Sequence, residues 1–74
     1  MSKYNEAIES YRRAIILRPD YAAAYFNLGL LYLAAKNKEG ALEQQRMLWA
    51  LDQKLAGEFF HIMYKDKVIN VTPK

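Results

Sequence analysis

Glu58 and His61 stand three positions apart. On a helix that spacing sets a carboxylate and an imidazole on one side, as in helical bundles that hold paired metal ions. Such a centre needs further inward carboxylates. The best candidate, Glu43, lies among Gln44, Gln45 and Arg46 on a mostly polar face. An ordinary surface pair is therefore the expected reading, and neither a metal nor any other cofactor is expected. Cysteine is absent, which removes a thiol nucleophile and a disulfide framework together. No Gly-rich phosphate cradle and no Ser, His and acid set is present. Asn70-Val71-Thr72 has the form of a glycosylation acceptor, but Met1-Ser2-Lys3-Tyr4 leads into no apolar secretory run. These residues point away from an enzyme and towards a cytoplasmic chain.

The elements that hold these side chains are few. Seventy-four residues make one small domain, whose core rarely supplies more than ~3–5 kcal/mol unaided. The net charge of +3 comes from Lys and Arg spread along the chain, loosely grouped at Arg12, Arg13 and Arg18 and at Lys65 and Lys67. A nucleic-acid-binding helical module is the alternative this charge allows, although no basic stripe is interleaved with stacking aromatics. Residues 21–35 are apolar apart from Asn27 and Gly29. That run is shorter than the roughly 20 residues a membrane span needs, so it reads as the buried middle helix of a stack.

Periodicity predicts an all-α fold of four antiparallel helices at about 2–17, 21–35, 38–51 and 53–66. In the first, Tyr4, Ala7, Ile8, Tyr11, Ala14 and Ile15 share one stripe, opposite Asn5, Glu6, Glu9, Arg12 and Arg13. Ser2 is placed to cap it, and Pro19 stops it by biasing Arg18 out of the helical region. Asp20 is placed to cap the second helix and Asp52 the fourth, while Asn37 is expected to help the chain reverse after Lys36. Ala41, Leu42, Leu48, Trp49 and Leu51 form the expected packing set of the third helix. Leu55, Phe59, Ile62 and Met63, widened by Ala56 and Phe60, form that of the fourth. Residues 68–74, with β-branched side chains and a proline, are left as a tail.

The chain also repeats itself at a step of 34 positions: Ala7, Tyr11, Ala14 and Pro19 recur as Ala41, Gln45, Leu48 and Gln53. Ile8 maps onto Leu42, Arg12 onto Arg46, Leu17 onto Leu51, Tyr25 onto Phe59 and Leu28 onto Ile62. A fixed period of this size marks stacked supersecondary units. Tyr25-x-x-Leu28-Gly29-x-x-Tyr32 followed by Ala41 resembles the core of a tetratricopeptide repeat, with Tyr25 where Trp is preferred. The resemblance implies a single domain over 1–67: a half-repeat at 1–21, a full repeat at 22–55 and a last helix at 53–66. Gln45, Leu48 and Gln53 depart from the aromatic, Ala and Pro usual at their positions, so the second unit is the more eroded one. Lys36 replaces the customary turn glycine. The small Gly29 is expected to admit the third helix at Ala41.

What the resemblance implies is protein–protein association, on two surfaces. The chain opens on a second helix lacking its first, which leaves the stripe of Tyr4, Ala7, Ile8, Tyr11, Ala14 and Ile15 partly bare. Ile16 projects from the polar side, as an isolated apolar residue or as part of an interface. Self-association into a homodimer is favoured; a longer array with upstream repeats is the competing explanation. The second surface is the inner side of the stack, where Ala23, Phe26, Asn27, Leu30 and Leu33 and, from the fourth helix, Phe60, His61 and Tyr64 make an apolar groove for a peptide or partner helix. The carboxylate clamp of some family members is not expected, since Ala23, Phe26, Gly57 and His61 stand where cations would be needed.

Overall fold

The computed structural model describes the backbone of residues 3–71 and the side chains of residues 3–65. Four helices follow one another: α1 (Lys3–Leu17), α2 (Ala22–Ala34), α3 (Lys38–Leu51) and α4 (Gln53–Val71). α2 is central, with α1, α3 and α4 all packed on it, and α4 also rests on α3. The molecule is a slab of 47 × 32 × 15 Å. So thin a body encloses little, and large apolar side chains remain at its surface on both ends.

The core is where α2, α3 and α4 meet. Tyr25, Ala41, Leu48, Ala56 and Phe59 are buried there, with Ile15 of α1 packed against them. Phe59 is wholly buried and meets Phe26 edge-on, ring centroids 5.8 Å apart. It also explains Gly29 differently from expectation. A Cβ on Gly29 would lie 2.7 Å from Cε1 of Phe59, so the glycine makes room for α4 and not for Ala41 of α3. The tight approach of α3 to α2 is at Gly40, where a Cβ would lie 2.7 Å from Cδ1 of Tyr32. Gln44 is buried beside it because its Nε2 donates to the Gly40 carbonyl at 3.2 Å, which removes most of the penalty of burying an amide.

Of the two caps expected among the described residues, Asp52 forms and Asp20 does not, while Asn37, expected only to aid the reversal, caps α3. Asn37 Oδ1 accepts from the Gly40 N–H at 3.0 Å and starts α3. Asp52 Oδ1 accepts from the Leu55 N–H at 3.1 Å and starts α4. Asp20 does not cap α2: the cap position falls on Tyr21, with no side-chain bond. The turn is instead closed by the Tyr21 N–H donating to the Arg18 carbonyl, with the Arg18 guanidinium 4.9 Å above the Tyr21 ring. The reversal after α2 is made by Lys36 itself, at φ 64°, a left-handed conformation disfavoured for any residue with a Cβ. Ser2 lies outside the described residues.

α4 runs to Val71, further than expected, so residues 68–71 are helical and not tail. β-Branched residues cost a helix only a few tenths of a kcal/mol each. No helix among the described residues is long and apolar enough to cross a membrane.

Candidate protein-interaction surfaces

α1 has no buried residue. Its stripe is half covered: Ala7, Ile8, Tyr11, Ala14 and Ile15 are of intermediate burial and Tyr4 is exposed. Ile16 is 76% exposed, as its place on the helical wheel requires, and Leu17 beside it is 80% exposed. Leu17 belongs to neither surface expected from the sequence, since it stands outside the stripe of Tyr4 to Ile15. Ile15 and Ile16 border a cleft of about 620 Å³ between α1 and α3, floored by Tyr25, Leu28 and Tyr32 of α2 and closed by Met47.

The eight residues expected to form a peptide groove fall into two groups. On α2, Phe26, Asn27, Leu30 and Leu33 are half-buried and Ala23 is exposed. Phe26, Leu30 and Leu33 spend part of their surface on the core. On α4, Phe60 and Tyr64 pair with ring centroids 4.7 Å apart, and the Lys38 ammonium sits 5.6 Å over the Tyr64 ring. His61 is exposed.

Phe60 faces residues that sequence reasoning did not combine with it. It lines a groove of about 750 Å³ between α3 and α4, together with Leu42, Gln45, Arg46, Trp49 and Gly57. Leu42 and Trp49 were expected to pack inward, as were Leu51 and Ile62, and all four are exposed. The spacing Leu42, Gln45, Arg46, Trp49 is a helical stripe visible in the sequence. Its apolar members were assigned to the core because periodicity tells which residues share a face and not what covers it.

Four helices packed on their neighbours in sequence can be compared with known families. The family model described as TPR repeat matches residues 1–35, which span α1, its turn and α2. Residues 1–35 carry a tetratricopeptide repeat. No curated protein and no solved structure matches the chain. Within this tetratricopeptide segment the signature side chains have identifiable tasks. Tyr25 is buried, and its hydroxyl donates to the Pro19 carbonyl at 2.9 Å, tying helix to turn. Leu28 is buried beneath the cleft between α1 and α3, and Gly29 admits Phe59. The match over residues 1–35 supports a protein–protein interaction module with protein partners in general.

Proposed function

We propose that this chain is a non-catalytic protein-association module that pairs with a second copy through α1 and presents the apolar side of α2 around Phe26, Asn27, Leu30 and Leu33 to a peptide. The supporting observation is the state of α1: an amphipathic helix with no buried residue, carrying Tyr4, Ile16 and Leu17 in solvent. Covering a large apolar side chain is worth about 1.5–3 kcal/mol, comparable in sum to the whole stability expected of a domain this small. Charge fits a pairing on the outer side of α1, where exposed Ile16 projects among the charged residues. Glu6 and Glu9 occupy the N-terminal half of α1, Arg12 and Arg13 the C-terminal half. An antiparallel two-fold contact sets the acidic half of each copy against the basic half of the other. The internal pair of Glu9 and Arg13 is 4.0 Å apart and exposed, so it gives up little when its members find partners across the interface.

Light scattering on a sizing column over a tenfold concentration range tests the reading. A mass near twice 8.6 kDa is expected. Ile16→Glu, in a side chain that makes little of the fold, should return the monomer mass with unchanged helicity. A wild-type monomer throughout the range removes self-association from the proposal.

A further inference from the structure

We infer that the groove between α3 and α4 is a docking site for an acidic amphipathic helix of another protein. The inference rests on the reading of the chain as an association module, but it concerns a different surface and a different occupant from the α1 pairing.

Three observations converge on this groove. Its walls are apolar and open: Leu42 and Trp49 stand on α3, Phe60 on α4, with Trp49 56% and Phe60 53% exposed. Exposed aromatics set in a concavity are the usual anchors of helix-in-groove recognition. The floor is also free. A Cβ built on Gly57 meets nothing within 4 Å, in contrast to Gly29 and Gly40, where a neighbouring ring fills that space. Gly57 sits inside a helix, where glycine costs stability, and no packing constraint in the fold accounts for it. The room it leaves lies in the groove.

The third observation is charge. Glu39 and Glu43 of α3 line two adjoining clefts, both of which share Arg46 with this groove. Neither borders this groove, whose one charged lining residue is Arg46. Lys38 sits over Tyr64, the ring that pairs with Phe60 of the groove wall, and adds a second cation next to that wall. The complement of an apolar trough with cations is a helix whose apolar stripe is flanked by Asp or Glu. A second copy of this chain fits worse. The protein carries net charge +3, and its exposed amphipathic helix brings Arg12 and Arg13 along with Glu6 and Glu9.

Trp49 is the sole tryptophan, so occupancy of the groove can be read from its emission. The probe is a synthetic 18-residue helix with leucines at i, i+3, i+4 and i+7 positions flanked by glutamates. The comparison is the same peptide with lysines in place of the glutamates. Expected is a blue shift of Trp49 emission on titration with the acidic peptide and at least about tenfold weaker binding of the basic one. Gly57→Leu should fill the floor, raise helicity and weaken binding at least about tenfold by the loss of anchor space. Arg46→Glu, an exposed position, should weaken the acidic peptide about threefold or more and improve the basic one. Equal affinity for both peptides, an unmoved Trp49 emission, or full binding by both variants overturns the inference. Ile16→Glu separates it from the proposed self-association: monomeric Ile16→Glu should bind the acidic peptide unchanged. Loss of binding in that variant shows that the peptide occupies the α1 surface and also overturns the inference.

Discussion

At a step of 34 residues α1 and α2 line up in sequence with α3 and α4, and the two pairs differ in structure. In the first pair the turn is four residues long, Arg18 to Tyr21, and Tyr25 anchors it through the bond from its hydroxyl to Pro19. In the second, Phe59 stands where Tyr25 does and has no hydroxyl to give, and Gln53 stands for Pro19. The turn has shrunk to Asp52 alone. Tyr11 is half-buried in the first pair, whereas its counterpart Gln45 lines an open groove. Ala23 has become Gly57. The first pair is closed by a polar tie at its end; the second is fastened at one ring in the core and left ajar at its rim. A repeat can thus keep its helices while trading internal closure for a recess.

The largest expected effect comes from releasing that one fastening. Phe59→Ala should cost about 3–5 kcal/mol, as much as a domain of this size holds, and the far-ultraviolet melt should show a chain largely unfolded at 25 °C. A cooperative melt within a few degrees of wild type would mean the second pair is held by more than its core ring. Next is Gln45, whose Oε1 is buried without a hydrogen-bond partner. An unsatisfied acceptor costs about 1–3 kcal/mol. Gln45→Leu removes that acceptor and should therefore raise the urea midpoint by an amount worth about 1 kcal/mol. A lower midpoint would mean that the amide contributes a bond the apolar side chain cannot replace. The smallest effect is Tyr25→Phe, which gives the first pair the side chain of the second. It removes one hydrogen bond to an exposed turn and should cost about 0.5–1 kcal/mol, read from the same urea titration. An unchanged midpoint would erase the difference in closure drawn between the two pairs.

Much of this comparison was already legible in the chain. The helices were readable because each starts or stops at a residue with a backbone reason: Pro19, Asn37, Asp52. The family was readable from Tyr25, Leu28, Gly29, Tyr32 and Ala41. What periodicity cannot carry is the depth of a layer. Leu42, Trp49, Phe60 and Ile62 fall on apolar stripes, yet in a slab of four helices they stay 41–56% exposed. Gln44 misled in the other direction, a polar letter made buriable by a bond to Gly40 on its own helix. Asp20 was misplaced because Tyr21, drawn over by Arg18, takes the cap position one residue later. Gly29 was read correctly as small and wrongly as to its neighbour, since a shift of 34 residues gives Phe59 an identity without telling where its ring points.

Asp52 holds a further consequence. Its N–H ends α3 on the Leu48 carbonyl, its carboxylate begins α4 on the Leu55 N–H, and its own backbone is extended at φ −154° and ψ 96°. A joint of one residue has two soft torsions and no slack, and both of its polar ends are already tied. Widening or narrowing the recess between the two helices therefore means turning that single residue or unravelling a helical turn on one side of it. The cleft behaves as a door on one pin, and the pin is a capping bond. Whatever forces the helices apart should be felt first at the Leu55 and Asp52 amides, as faster exchange with solvent deuterium, before any residue of the core takes notice.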